Sequence, residues 1–211
     1  ESKGLELDEF DSHLKPFGIR RALLASLIDT FIHAKTFGSL IQVPEALENE
    51  LGTLADALEM AIQSGDVFAQ AAAEDLLPLV GQATVLAMKF DAVVANPPYM
   101  GIKFYAKVLK EYIEKCYASA KGDLYTCFIQ RNLVFARIGG SVGMITIPNW
   151  MFLSTFEDLR SWLFHEATIE TFSHNGRGVF GSDFGSCAFT FRRQAVKEYL
   201  GSYKRLFEKQ G

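Results

Sequence analysis

Cysteine is scarce in this chain. Cys116, Cys127 and Cys187 are the three among 211 residues, too far apart in sequence for a disulfide framework or a metal cluster. The four histidines, His13, His33, His165 and His174, are scattered without metal-ligand spacing, so no metal is implied. The isolated cysteines suit a reducing, cytoplasmic setting, and no apolar run of bilayer-spanning length or signal peptide is found, so no membrane role is implied. Positive charge is also short. Lys and Arg total 21 against 25 Asp and Glu, a net charge of −4 and a pI near 5.6. A nucleic-acid binder usually carries a basic footprint, so the balance argues against autonomous DNA binding. Local patches remain at Arg192, Arg193, Lys197 and Lys204-Arg205. Repeats and low-complexity stretches are absent, and 13% aromatics with 18 Phe argue against disorder.

What is present suits one globular domain, or a domain with a small helical appendage: 49% hydrophobic and 22% charged residues. The chain starts at Glu1 without Met, and its opening residues read as the middle of a longer protein. Up to about Gln82 the pattern is mostly helical. Residues 19–35 are rich in Leu, Ile and Ala, residues 37–43 form a short strand-like break, and Pro44 sits where a helix begins. Leu47, Leu51, Leu54, Leu58 and Ala61 make the stripe of a helix packed on a neighbour, and a second helix over residues 67–77 would complete a hairpin.

After Lys89 strands and helices alternate, which points to an α/β fold. Residues 90–95 read as a buried strand and 104–117 as a helix. Asp123 is a good N-cap for the next helix, which Gly139-Gly140 should end, before a strand over residues 141–147. Ser154-Thr155-Phe156-Glu157 has capping-box spacing for a helix to about His165. Residues 167–173 and 186–192 read as strands joined by a Gly-rich loop, and residues 194–209 as a last helix.

The strand over residues 90–95 runs into Asn96-Pro97-Pro98-Tyr99. A given tetrapeptide of this kind arises by chance in roughly one chain in a thousand of this length. Its chemistry suits an exocyclic amine, whose lone pair is delocalised into the ring. Two acceptors aimed from one side favour the sp³ nitrogen, and the Asn96 side-chain carbonyl with the Pro97 backbone carbonyl can supply them. Pro97 and Pro98 fix φ and make the turn rigid, so stabilisation of the developing positive charge is preorganised. Tyr99 offers a flat face for a planar ring. The plain alternative is a Pro-Pro turn with Tyr99 packed on the core.

At these residues the chain resembles the amino-methyltransferases that use S-adenosylmethionine, specifically the adenine-N6 DNA group. Gly122-Asp123-Leu124-Tyr125, Phe128-Ile129-Gln130-Arg131 and Val142-Gly143-Met144-Ile145-Thr146 resemble the helix and strand that follow the motif in large restriction-type enzymes. Asn149-Trp150-Met151-Phe152-Leu153-Ser154, Glu157-Asp158-Leu159-Arg160 and His174-Asn175-Gly176 narrow the resemblance to the BREX-type phage-defence methyltransferases, the PglX group. It covers about residues 89–193, and extends weakly upstream through residues 31–35 and 38–41. The implied fold is part of a Rossmann-like methyltransferase sheet with a helical N-terminal segment. Residues 1–82 would be an insertion or part of that domain, and residues 83–211 its C-terminal half.

The resemblance implies that a target adenine is flipped out of double-stranded DNA. Asn96 and the Pro97 carbonyl would grip N6, with Tyr99 stacked on the base and Pro98 beside it. Phe180 would close the pocket from the late hairpin, against the alternatives of a core Phe180 or a role for Phe184. S-adenosylmethionine is the implied cofactor, and other defence proteins are possible partners. One departure stands out. The cofactor's Gly-rich loop should precede the motif, yet the glycines before Phe90 are isolated, and no acidic residue for the ribose is evident. The chain alone is therefore expected to be inactive. Two other readings stay open: an RNA base or protein glutamine as acceptor, and a non-catalytic module docking through residues 44–77.

Several further residues carry two readings each. His174 could line the active-site rim or be a turn histidine bonded to backbone. Trp150 and Phe152 could face a substrate channel or pack on the sheet. Lys103, Lys107 and Lys110 could touch phosphate or form a solvated face. Glu157 and Asp158 read as helix-start carboxylates, and the three cysteines as small core residues.

Overall fold

The structure, a computed structural model, describes residues 7–179 and 185–208. The chain divides into two compact units, Glu1–Met88 and Lys89–Gly211.

All regular structure described in the first unit is helical: α1 (Leu7–Leu14), α2 (Arg21–Phe31), α3 (Ala34–Phe37), α4 (Glu45–Glu48), α5 (Leu51–Gln63) and α6 (Val67–Ala87). The predicted stripe is real, with Leu47, Leu51, Leu54, Leu58 and Ala61 all buried. α5 packs against α6 as the expected hairpin. Asp66 caps α6, its carboxylate accepting from the backbone of Phe68 and Ala69. Two expectations fail here. Residues 37–43 hold no strand; a 3₁₀ turn, Gly38–Leu40, occupies the break, with Leu40 and Ile41 turned into the core. The last helix also runs ten residues past Leu77, straight through Pro78. A proline inside a helix costs about 3 kcal/mol. Leu76, Val80 and Ala83 flank it on one buried face, so packing outweighs that local cost.

In the second unit β1 (Phe90–Ala95) leads through α7 (Lys107–Cys116) and α8 (Leu124–Phe135) to β2 (Ala136–Thr146). α9 (Glu157–Glu166), β3 (Thr168–Gly176), β4 (Ser186–Arg192) and β5 (Ser202–Arg205) follow. The sheet order is β1-β2-β4-β3-β5. β1 is parallel to β2 and β3 to β5, while β4 is antiparallel to both its neighbours. Four strands therefore point one way and end together. Open α/β sheets bind ligands at that end. α8 packs on β1 and β2, and the covered side of the sheet is apolar: Val142, Met144, Phe172, Phe189 and Phe191 are buried, with Trp150 against the three phenylalanines.

Four sequence expectations change in this unit. β1 has the expected bounds but is the edge strand, with Val94 84% exposed, so it is not the buried strand its apolar run suggested. Gly139-Gly140 do not end α8, which stops at Phe135; they lie inside β2, where Gly139 has φ +77° and the register with β1 shifts. The extra residues make a bulge-like kink that only glycine takes without strain. α9 forms, but no side chain caps it, so the Ser154–Glu157 box is absent and a 3₁₀ turn, Ser154–Phe156, leads in instead. The predicted helix over residues 194–209 is a loop followed by β5. A Cβ on Gly201 would lie 2.5 Å from the Ile169 carbonyl, so this glycine lets β5 approach and pair beside β3.

Candidate active site

Asn96 follows the last residue of β1, where Ala95 pairs with Met144 of β2. The Asn96 side chain is exposed and Pro97 is buried. The Tyr99 hydroxyl faces back, 3.4 Å from Asn96 Oδ1 and 3.5 Å from the Ile145 carbonyl, both as acceptors. No hydrogen bond engages the Pro97 carbonyl among the described residues. Two carbonyl acceptors, one on a rigid Pro-Pro turn, thus stand at the end of a strand beside a 46% exposed tyrosine ring. Partial burial pushes the Tyr99 phenol up, so it stays protonated and can keep donating. Asn96 also lines a cavity of about 720 Å³ on the exposed side of the sheet, with Val94, Gly143, Ile145 and Thr190.

Three residues that sequence reasoning did not tie to the motif hold it in place. Asp123 caps α8 as expected, accepting from Tyr125 N–H at 3.4 Å, but it also accepts from Met100 N–H at 2.9 Å. The Leu124 N–H donates to the Met100 carbonyl at 2.9 Å, and the Ile102 N–H to the Gly122 carbonyl at 3.2 Å. The cap of one helix is therefore the anchor of the motif's exit. Burial raises the Asp123 carboxyl above its usual value, and the backbone donors from Met100, Tyr125 and Leu124 oppose that shift. Tyr125, fully buried in α8, meets the Tyr99 ring edge-on at 5.8 Å between centroids. Ile145 contributes only its carbonyl. The Asp–Leu–Tyr run was a signal for Asp123 and Tyr125; a backbone carbonyl on a neighbouring strand leaves none.

The other singled-out residues separate cleanly. Trp150 is buried on the sheet, while Phe152, two residues on, is 64% exposed. His174 sits in β3, not in a turn, and lines a polar groove of about 490 Å³ with Asn149, Phe152, Arg177 and Arg205. The turn reading of His174 is therefore set aside. Its Nε2 is buried and has no hydrogen-bond partner among the described residues. Burial, then the nearby Arg205 charge, lowers its pKa. Cys127 and Cys187 are fully buried and Cys116 half-buried. Burial pushes the Cys127 thiol up to about 12 and raises Cys187 too, which leaves neither as a nucleophile. Lys107 pairs with Glu111 at 3.9 Å, Lys103 lies over the Phe104 ring, and Lys110 is exposed. Glu157 and Asp158 occupy the first turn of α9. Phe180 and Phe184 lie outside the described residues. No group of three His, Cys, Asp or Glu side chains could hold a metal ion among the described residues, and none of their helices is long and apolar enough to cross a membrane.

Comparison with known proteins gives the following matches. The sequence model of the Eco57I restriction-modification methylase matches residues 21–180. The adenine-specific methyltransferase BrxX of Escherichia coli O9:H4 (strain HS) is 38% identical over 185 residues, 88% of this chain and 15% of that protein. The adenine-specific methyltransferase PglX of Lacticaseibacillus casei (strain Zhang) is 29% identical over 226 aligned positions, 98% of this chain and 18% of that protein. Among solved structures, a chain of a type I restriction-modification system aligns with a TM-score of 0.45 and 14% identity, over 90% of this chain and 50% of that one. The chain spans less than a fifth of the length of these two curated relatives.

Proposed function

The chain belongs to the Eco57I restriction-modification methylase family, and on that premise we propose that the protein containing it methylates N6 of a specific adenine in double-stranded DNA. The observation that carries this reading is the pair of carbonyl acceptors, Asn96 Oδ1 and Pro97 O, on a rigid turn at the C-terminal end of β1. S-adenosylmethionine, when bound, supplies an electrophilic methyl group. The residues of this chain act on the acceptor. Asn96 and Pro97 accept the two N–H bonds of the amine, which localises its lone pair on nitrogen and stabilises the positive charge that grows as the N–C bond forms. Tyr99 stacks on a base flipped into the site and Pro98 borders it, while the part expected of Phe180 rests on the family resemblance alone. The proton released from N6 leaves to solvent.

The cofactor's own cradle is a different matter. A Gly-rich turn between a strand and a helix has no counterpart among described residues 7–88, which hold no strand. No residue of this chain is therefore assigned to S-adenosylmethionine. The 211-residue chain alone should show no saturable binding of it by calorimetry. The names of the relatives, BrxX and PglX, support a place in BREX-type phage defence.

The test is tritiated methyl transfer to unmethylated DNA by the full-length protein with any required partners. Label on adenine N6, lost in Asn96→Ala, is the expected result. Label on RNA or glutamine with none on DNA would sink the adenine assignment, because the same two acceptors suit any planar amine or amide.

A further inference from the structure

The chain has nine arginines, and eight have an ion pair, a hydrogen bond or a ring contact among the described residues. Arg20, Arg21, Arg137 and Arg192 pair with Glu50, Asp8, Asp91 and Glu170. Arg160 and Arg193 donate to backbone carbonyls, and Arg131 lies over the Phe135 ring. The Arg205 guanidinium lies 5.8 Å from the Phe207 ring centroid, and neither it nor Arg177 has an ion pair or hydrogen bond among the described residues. Both line the 490 Å³ polar groove. In a chain of net charge −4, two cations with no ion pair or hydrogen bond among the described residues share one concavity, an arrangement that suits an anionic ligand.

The groove's place narrows the ligand. Asn149 follows β2 by three residues, His174 and Arg177 stand at the end of β3, and Arg205 ends β5. These are the same strand ends that carry Asn96, and the Tyr99 hydroxyl already reaches the Ile145 carbonyl on β2. Glu208 is the one carboxylate among the lining residues, so two cations face one anion and a positive surplus remains. The exposed ring of Phe152 lies at the lip, 6.3 Å from the His174 ring.

Building on the DNA reading above, we propose that this groove binds a backbone phosphate of the strand carrying the target base, gripped by Arg177 and Arg205, with Phe152 as a stacking face for a neighbouring base. Guanidinium forks match phosphate oxygens in charge and geometry. Phosphate contacts set the register of a protein on DNA without reading sequence. An anchor beside the motif would hold the strand while one base is turned out. An unstacked neighbour then has an aromatic partner.

The experiment uses the full-length protein and a duplex carrying its site. DNA affinity is measured against KCl concentration for wild type, the R177A/R205A pair and the R177K/R205K pair, with S-adenosylmethionine affinity as the control for folding. The alanine pair should lower the slope of log K against log salt by about 0.9, the value of one neutralised phosphate. KM for DNA should rise about tenfold with kcat nearly unchanged, and the lysine pair should recover most of the slope. On wild type alone, a scan with neutral methylphosphonates near the target adenine should find one position that weakens binding about tenfold, which covers an alanine pair that fails to fold. An unchanged slope and KM in a variant that still binds S-adenosylmethionine overturns the proposal. A loss of S-adenosylmethionine affinity with the slope intact also overturns it, by assigning the arginines to the cofactor's carboxylate. A wild-type protein that methylates RNA or glutamine, and takes no DNA, overturns the functional reading itself.

Discussion

The two units of this chain bury different things. In Glu1–Met88 the buried side chains are Leu, Ile, Val, Ala and three phenylalanines. In Lys89–Gly211 the core also contains Thr126, Arg131, Asn132, Thr146, Thr168 and Ser186, which are all the buried polar or charged residues among those described. Among the described residues, apart from exposed Arg21, the groups with a displaced pKa lie there too, among them Asp123, Tyr125, Cys127 and His174. Burying a polar group is costly unless it is bonded. Such costs persist where side chains must be held in one orientation. The first unit reads as a packing device and the second as the part that positions chemistry.

Substitutions can break or sharpen that contrast. The largest effect should come from Asn96→Ala in the full-length protein: a fall in methyl transfer of about 10²-fold or more, by analogy with deleting one preorganised partner of a transition state. Its thermal midpoint should not move, because Asn96 is exposed. Leu58→Ala should do the converse. Leu58 is 0% exposed in α5, so truncation should cost about 2–5 kcal/mol in denaturant melts, with kcat per folded molecule unchanged. A fall in kcat there would break the division of labour between the units.

Asp123 belongs to both columns. Asp123→Ala removes a helix cap and the Met100 anchor together, so a loss of about 1 kcal/mol should accompany a drop in kcat. Asp123→Asn keeps an oxygen acceptor and should restore most of both. The smallest effect is acid sensitivity at His174. Its pKa is lowered from about 6.5 in the folded state, so the unfolded chain binds the extra proton first. Stability should therefore fall as pH drops from 6.5 towards the lowered value, and rise again on return. Thermal melts at several pH values should show less of this loss in His174→Gln. Arg205, Arg177 and Glu208 share the groove, and none of them is removed by that change.

Local patterns carried much of the fold. The Leu47–Ala61 stripe, the Asp123 cap and the strands β1, β3 and β4 were all legible because each is set by neighbours within a few residues. The misses share one cause. β5 was taken for a helix because the ladder it makes with β3 comes from thirty residues away, and Gly201 marks the approach only once β3 is seen beside it. The helix expected over residues 67–77 continues through Pro78, and the glycines of β2 were taken as a helix end; tertiary packing carried the backbone through both. At the site, Asn96, Pro97 and Tyr99 were legible as chemistry. The Ile145 carbonyl and the Met100–Asp123 anchor were not, because they join separate elements.

By itself, then, the sequence determined what the turn after β1 can do. A side-chain carbonyl, a proline carbonyl and an aromatic ring are covalently consecutive, and two prolines restrict the backbone between them whatever surrounds it. Tertiary structure decided where that turn stands and what stands with it. Four strand ends converge through ladders between distant segments, and that convergence places the Asp123 anchor, the Tyr125 ring, Arg177 and Arg205 at the motif's end of the sheet. Pairings across such sequence distances depend on the register of whole strands, and no short stretch of residues encodes that alone.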